Sequence, residues 1–253
     1  MPSSATSRRL AVILLAVLAG CATVNETGTS SNAPTSIQKL EYYPFQVKGY
    51  QNSYPRRTVL VLMPTMQADA SGVPADQAEP LNGDPAIGQV FGENSQLLQR
   101  LYSDPIPPII QAAIARSAQE AGMTAITSND TSYQSGVRMP QDYVIGCKIV
   151  RCWVRKSRAG GGQYGPIWQT VADFGLDVTI YKPPFSVAFW HGNSNETYYD
   201  PPVGSLSLGP EDEAGIYDEP GEVLSVALTR AVAGIFEKAD LRNLVLEDDV
   251  RGH

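Results

Sequence analysis

Two carboxylates in this sequence have a spacing that invites comparison with an acid–base pair. Asp173 and Asp177 lie four residues apart on one face of a predicted strand, so their backbones are ~13 Å apart at ~3.3 Å per residue. Glycosidases place their two carboxylates ~5–9.5 Å apart. The spacing therefore favours a solvated sheet face over a paired-carboxylate active site.

His191 is the only histidine apart from the C-terminal residue. It could act as a general base in a Ser-His-Asp arrangement, but the sequence contains no Gly-x-Ser-x-Gly nucleophile elbow. Zinc needs three or four convergent ligands, and beyond Cys21 the chain offers only His191, Cys147 and Cys152 for that purpose. We therefore interpret His191 as a packing residue at a strand end, and we predict no catalytic residue, no metal site and no cofactor.

Cys147 and Cys152 fall within one predicted strand, and an odd number of positions separates them. In a regular strand they point to opposite faces and lie ~17 Å apart, whereas a disulfide needs Cα atoms within ~7 Å. The spacing predicts two buried free thiols.

Two other clusters could bind ligands. The glycines at 160–162 lack the surrounding Gly-x-x-x-x-Gly-Lys-Ser/Thr pattern of a phosphate loop, so they predict a hairpin loop. The acidic residues between 211 and 222 could attract a cation or a basic partner, but they lack the ligand register of a calcium loop.

The N-terminal residues indicate where the protein is sent. Arg8 and Arg9 precede an unbroken apolar run, 10–18, which is about half of the ~20 residues needed to cross a bilayer. A basic flank, a short apolar run and small residues are typical of a secretory signal over 1–20. The tetrad Leu18-Ala19-Gly20-Cys21 resembles the bacterial lipobox.

That resemblance implies that Cys21 is the lipid attachment residue: its sulfur is lipidated, the signal is cut before it, and the new amino terminus is acylated, with palmitate as an expected acyl group. Ala22, in place of Asp, implies sorting to the outer membrane, facing the periplasm. Several acyl chains hold a protein firmly, whereas one chain anchors it only marginally. The alternative is a plain secretory signal followed by a chance cysteine.

The charge balance excludes a nucleic-acid partner. The whole chain has 19 basic and 26 acidic residues and a formal charge of −7. Residues 1–20 contain two arginines and no acid, so the mature chain carries 17 basic and 26 acidic residues, a charge of −9. Binding to phosphate backbones requires the opposite sign.

The mature chain begins with a linker and an aromatic arm, 21–57. Its Thr, Ser, Asn, Gly and Ala composition up to residue 36 predicts a flexible tether. We interpret the aromatic residues that follow as packed along the domain, with an arm for a partner or the membrane interface as the alternative. They are Tyr42, Tyr43, Phe45, Tyr50 and Tyr54.

The hydrophobic patterns then predict one α+β globular domain over 58–240, followed by a charged C-terminal tail over 241–253. We expect a mixed, largely antiparallel sheet of about five strands with two main helices. The predicted strands are 58–63, 123–127, 142–154, 172–180 and 185–190, and the helices run from Asp104 to Gly122 and onward from Glu222. Residues 64–104 and 199–220 are predicted to be long loops, with a helical turn or two over 96–102.

This order of elements is similar to that of bacterial envelope lipoproteins. It rests on Val59-Leu60-Val61-Leu62-Met63-Pro64, a helix ending at Gly122, and Asp142-Tyr143-Val144-Ile145-Gly146 leading a long strand. The order resembles the YajG-type lipoproteins and, more distantly, auxiliary lipoproteins of envelope ABC transporters and curli-secretion-type lipoproteins. The resemblance implies assembly, transport support or scaffolding.

Together these observations predict a non-catalytic, lipid-anchored envelope protein that binds a protein or a lipid-handling partner in the periplasm. We expect the contact surface on the two long loops, since binding residues tend to lie on loops. One alternative is an accessory subunit of a lipid-transport or secretion machine. The other is a hydrolase with an unrecognised site.

Overall fold

The computed structural model describes residues 33–43, 57–73, 80–81, 85–131, 140–162, 165–182, 187–200 and 219–239. The elements are β1 (Thr35–Gln38), β2 (Thr58–Val61), β3 (Thr65–Met66), β4 (Gly88–Phe91), β5 (Leu97–Ser103), α1 (Ile106–Glu120), β6 (Thr124–Thr127), β7 (Tyr143–Gly162), β8 (Gly165–Tyr181), β9 (Ala188–Asp200) and α2 (Pro220–Lys238). All of them fall within one compact unit, Asn32–His253.

Strand β7 organises the sheet because both of its edges are paired. On one edge it pairs antiparallel with β8, and β8 pairs antiparallel with β9. On the other edge β7 pairs in succession with β2, β3 and β4, each in parallel. Strand β6 extends the sheet beyond β2, and β5 and then β1 extend it beyond β4.

The α+β prediction agrees with this architecture, but the predicted sheet was too small and of the wrong type. The described residues form one open sheet of nine strands instead of about five. Five of the eight pairings between described strands are parallel, so the sheet is mixed and not largely antiparallel. Parallel pairs join distant parts of the chain, and local sequence patterns do not reveal them.

The prediction of a long loop over 64–104 was wrong in the same way. This segment supplies β3, β4 and β5, and the predicted helical turn over 96–102 is instead most of β5. Strand β5 has partners on both edges, β4 and β1, which outweigh the weak local preference of its sequence. The glycines at 160–162 are likewise the last residues of β7, not a loop.

Both helices pack into one core with one face of the sheet. Helix α1 contacts α2, β2 and β6, and α2 contacts β7, β8 and β9. The sequence predicted the ends of α1 well: Pro105 precedes it, and Gly122 follows it with φ of 91°, a conformation that glycine adopts at little cost. Among the described residues no helix is long and apolar enough to cross a membrane.

Residues 38–43, from the last residue of β1 onward, cover one side of α2, and we call this segment the strap. The Gln38 side chain accepts a hydrogen bond from the backbone N–H of Gly221 at the start of α2 (2.9 Å). Farther along, the backbone N–H of Glu41 donates to Ser225 Oγ (2.9 Å), and that of Tyr43 donates to Thr229 Oγ1 (3.0 Å). The strap therefore covers the polar side of α2.

Two further residues tie the strap to the core. Leu40 is buried in it, and Tyr42 packs against it and donates a hydrogen bond to Glu120 Oε2 at the end of α1 (3.2 Å). Burial raises the pKa of Tyr42 to about 12. For Tyr42 and Tyr43 the structure thus agrees with packing along the domain, whereas Phe45, Tyr50 and Tyr54 lie outside the described residues.

Candidate binding surface

Strands β7, β8 and β9 present two different faces. On β8, residues 172, 174, 176, 178 and 180 point into the core below α2 and are completely buried. The residues between them point to the opposite side, which we call the open face because neither α1 nor α2 covers it. An antiparallel sheet with one packed and one polar face is built from this alternation.

A hydrogen-bonded cluster occupies the middle of the open face. Arg151 Nη1 of β7 lies 3.0 Å from Asp173 Oδ2 of β8, and Thr197 Oγ1 of β9 lies 3.4 Å from Asp173 Oδ1. Asp173 is only 7% exposed. Its interpretation as a solvated residue was therefore wrong: the cross-strand partners cover it and keep its carboxylate hydrogen-bonded.

A second pair lies four residues farther along β8. His191 Nε2 is 2.6 Å from Asp177 Oδ1, and both side chains are partly exposed. Thr179 lies directly across from His191 in the register of β8 and β9. A carboxylate, an imidazole and a hydroxyl are thus neighbours on one face, which the sequence alone did not suggest.

Cys147 and Cys152 are free and buried, as predicted, but they do not lie on opposite faces. A bulge between Ile149 and Arg151 adds one residue to β7, so both thiols enter the core below the helices. Burial raises the pKa of Cys147 to about 12, with a smaller contribution from the charge of Asp177, and burial also raises the pKa of Cys152. Neither thiol has the low pKa that a nucleophile or metal ligand requires.

A cavity of about 420 Å³ lies on the helix side, between the strap and the start of α2. Its lining includes Ile37, Lys39 and three carboxylates, Glu41, Glu219 and Glu222. Lys39 pairs with Glu41, whose carboxylate raises the pKa of this amine. The cavity and His191 are on opposite sides of the sheet, so they do not form one site. No cluster of metal-binding side chains occurs among the residues that the structure describes.

Strands β7 and β8 continue past their neighbours and form an arm, defined here as residues 157–162 and 165–169. The last β7 residue paired with β4 is Lys156, and the first β8 residue paired with β9 is Thr170. Within the described part of the chain, the two arm strands pair only with each other. Arg158 is exposed on the arm, opposite Trp168, and donates from Nε to the carbonyl of Gly160 (2.9 Å).

The charge of this region was a signal in the sequence that the motif search missed. Residues 143–172 contain five basic residues and no acid, a formal charge of +5 in a chain of overall charge −7. Lys148 and Arg151 lie across from acids of β8, whereas Arg155, Lys156 and Arg158 lie closer to the arm tip. A count of charge in sequence windows would have found it.

Several predicted residues fall outside the described part of the chain. They include Cys21, the whole signal segment 1–20 and the tail 241–253. Of the second predicted loop, 199–220, only the ends are described: Tyr199 and Asp200 belong to β9, and Pro220 begins α2. The acidic residues 211–218 therefore remain a sequence-based prediction.

Comparison with known proteins gives no matching family model and no matching curated relative. Similar solved structures include protein XCC0632 from Xanthomonas campestris, of family DUF330, at 11% identity and a TM-score of 0.47, covering 85% of this chain and 99% of that one. A neuraminyllactose-binding hemagglutinin homolog from Helicobacter pylori has 8% identity and a TM-score of 0.41, with coverages of 83% and 100%. Lipoprotein GNA1162 from Neisseria meningitidis has 15% identity and a TM-score of 0.23, with coverages of 59% and 88%. The chain thus has bacterial lipoproteins among its structural neighbours, at a similarity that assigns no function.

Proposed function

We propose that the protein is a non-catalytic lipoprotein, anchored through Cys21 to the periplasmic side of the outer membrane, where it binds an envelope partner. The observation that carries the proposal is the lipobox-like tetrad ending at Cys21, followed by a chain that enters the core. The strap residues Gln38, Glu41 and Tyr43 bond to α2. A lipid on Cys21 would thus be linked to a segment that is part of the fold.

The open face of β9 is the surface that we assign to the partner. His191, Asn193 and Thr197 are exposed there, side by side along one strand. The amides, hydroxyls and paired charges of this face can exchange hydrogen bonds with a protein surface without leaving an isolated buried charge. This assignment replaces the predicted contact loop over 64–104, which supplies strands β3, β4 and β5.

Membrane fractionation tests the anchor. Cys21→Ser should move the protein from the membrane to the soluble fraction, because no acyl chain can then be attached. Ala22→Asp should keep it on membranes but shift it to inner-membrane fractions, as the resemblance to sorted lipoproteins implies. Unchanged outer-membrane fractionation of Cys21→Ser would contradict lipidation.

Site-specific photo-crosslinking in intact envelopes tests the surface. A photoreactive amino acid at Asn193 should give a discrete crosslinked product, whereas the same probe at Gln119, an exposed residue of α1, should not. Loss of the Asn193 product in Cys21→Ser would link binding to the anchor. A transport or secretion subunit in the product would specify the accessory-subunit alternative, and equal products at both positions would contradict the open face as the surface.

The Asp177–His191 pair favours a second candidate, a hydrolase with Thr179 as the nucleophile. The carboxylate would orient the imidazole, and the imidazole would accept the proton from the hydroxyl. A screen with ester, phosphate and glycoside substrates tests this directly. Turnover that disappears in both His191→Gln and Thr179→Val would establish the enzyme and overturn the non-catalytic proposal.

A further inference from the structure

One end of the sheet carries a row of aromatic and basic side chains at the base of the arm. Arg155 of β7 pairs with Val171 of β8, which pairs with Tyr199 of β9. The Arg155 guanidinium lies 4.5 Å from the centroid of the Phe91 ring in β4. Arg155 and Tyr199 are exposed on the open face. The row therefore combines a cation with aromatic rings on both sides.

The basic residues near the arm tip differ from those in the middle of β7 in their acidic partners. Lys148 lies opposite Asp177 in the register, and Arg151 is bonded to Asp173, so acids of β8 balance these two cations. No acid occurs in 143–172 to balance Arg155 and Arg158 in the same way, and both are exposed. The two arm strands are thus a local positive region on an acidic protein, and two acids flank their base: Asp200, which pairs with Thr170, and the exposed Glu93, two residues beyond β4.

The predicted anchor joins the fold at this same end of the sheet. Thr35, the first residue of β1, pairs with Arg100 of β5, which pairs with Gln89 of β4, which in turn pairs with Arg155. Since β1 runs parallel to β5, and β5 runs antiparallel to β4, β1 runs away from the arm tip. The chain from Cys21 therefore reaches Thr35 at the arm end.

The arm and the tether predicted after Cys21 have similar lengths. The six arm residues from 157 to 162 extend ~20 Å beyond the row at ~3.3 Å per residue. A flexible tether of a dozen residues, the number that separates Cys21 from Ala33 in the sequence, spans ~20 Å root-mean-square. A lipid on Cys21 and the arm tip can therefore reach one membrane surface together.

We propose that the arm is a second membrane contact, which binds the phosphates of anionic phospholipids and orients the tethered domain. This inference rests on the lipid anchor of the proposed function. Arginine guanidinium groups match phosphate geometry, and aromatic rings are enriched at the membrane interface. Each cation near an anionic surface strengthens binding about fivefold. The rest of the body, with its acidic surplus, is repelled, so the arm end faces the lipid.

A fluorescent label at the arm tip tests this contact in the full lipidated protein. Gly160→Cys suits the label because a Cβ atom at this position meets no other heavy atom within 4 Å. Cys147 and Cys152 are buried and should not react, and Cys21 carries the lipid. An environment-sensitive fluorophore should brighten and shift to the blue on vesicles of phosphatidylcholine with phosphatidylglycerol, but not on phosphatidylcholine alone.

Matched variants show which residues cause the fluorescence response. The same label at Val187→Cys, which is 75% exposed near the start of β9 and at the other end of the sheet, should stay silent. Arg155→Gln with Arg158→Gln should lower the ratio of shielded to exposed arm label about 25-fold, at about fivefold per arginine. Arg116→Gln with Lys238→Gln removes the same charge from the helices and should leave the response unchanged. Unaltered thermal melting confirms folding, and loss of the wild-type response at high salt gives the same test without substitution.

Failure of the lipid anchor and failure of the arm contact give different results. Release of the protein from all vesicles would refute the anchor and with it the proposed function. Stable attachment with a silent arm label, or with equal responses on both lipids, would refute the arm contact alone. A response that depends on protein density and not on lipid charge would place the arm against an acidic surface of a second copy, and would also overturn the membrane contact.

Discussion

Phe174 and Asp173 are adjacent in β8 and both are buried, but they face opposite sides of the sheet. Phe174 packs among apolar residues below α2 and is completely inaccessible, whereas Asp173 is covered by the partners that bind its carboxylate. Apolar burial contributes stability in proportion to area, while a half-exposed ion pair contributes little net energy. Phe174 and Asp173 are therefore both buried, but they should contribute unequally to the free energy of unfolding.

The largest effect should come from the helix side. Phe174→Ala removes a fully buried ring and leaves a cavity, so we expect the free energy of unfolding to fall by about 3–5 kcal/mol. Urea denaturation measures it. Thr197→Ala on the open face is the control, with an expected loss below about 1 kcal/mol. Similar losses for the two variants would contradict the difference between the faces.

The buried thiols should make the helix side sensitive to alkaline pH. Because their pKa values are raised in the folded state, the thiolate forms more readily in the unfolded chain, near pH ~8.5. Stability should be unaffected by them below that pH and should fall above it by up to about 1.4 kcal/mol per pH unit for each thiol.

Guanidinium unfolding at pH 8 and pH ~10 measures this dependence. Cys147→Ala with Cys152→Ala should remove the thiol contribution. Thiol reagents at pH 8 should label Cys147 and Cys152 in the native protein at least about 100-fold more slowly than in the unfolded chain. Rapid labelling of the native protein would contradict the burial of both residues.

Ser194 and Gly234, which meet on the helix side, allow a test in which one substitution destabilises the protein in one background and stabilises it in another. Ser194 of β9 donates a hydrogen bond to the carbonyl of Ala231 in α2 (2.6 Å), and a Cβ atom at Gly234 would lie 2.5 Å from its oxygen. Gly234→Ala should therefore cost about 1–2 kcal/mol, because the steric clash exceeds the gain in helix propensity. In the Ser194→Ala background the clash is absent, and the same change should stabilise by up to about 1 kcal/mol. Equal effects in both backgrounds, measured by thermal and urea unfolding, would exclude this contact.

On the open face, loss of the Arg151 side chain should have a moderate effect. Arg151→Ala leaves the buried Asp173 carboxylate with Thr197 as a weaker partner, so we expect a loss of about 1–2 kcal/mol, reduced by the partial exposure of the arginine. Lys148→Ala, on the same strand and face, should cost less than about 0.5 kcal/mol. Urea denaturation distinguishes the two, and equal losses would show that Asp173 does not depend on Arg151.

The smallest effect should come from His191→Gln. Both side chains of the Asp177–His191 pair are partly exposed, so its removal should change stability by less than about 1 kcal/mol, and salt should weaken even that contribution. Thermal unfolding at low and high ionic strength measures it. A loss as large as that of Phe174→Ala would show that the open face contributes to the core.

The sequence predicted the parts of the fold that depend on local periodicity. The alternation from Ala172 to Ile180 identified the buried face of β8, and the helical spacing of apolar residues after Glu222 identified α2. The side of α2 that carries Ser225 and Thr229 is buried as well, because both hydroxyls accept bonds from the strap. That contact joins residues about 185 positions apart, and helical periodicity contains no information about it.

The remaining errors have the same physical origin. The bulge in β7 changes which residues face the core. Counting alternate positions along the strand therefore places Cys147 and Cys152 on opposite faces, whereas both face the core. Strands β4 and β5 are short or lack a clear alternation, and their partners in the sheet stabilise them. For the candidate surface, the sequence located Asp173, Asp177 and His191, but only the register of β7, β8 and β9 showed which of them are neighbours.

The strap and the parallel pairing of β1 have a mechanical consequence. Tension applied through the chain at Ala33, along the strand, would load the β1–β5 hydrogen bonds in shear, so that they resist together and do not separate one at a time. If β1 detached, the load would pass to Leu40 in the core, to Tyr42 packed against it, and to the bonds of Glu41 and Tyr43 to α2. A domain that holds β1 in this way is suited to bearing a pulling load applied through the chain that leads into this strand.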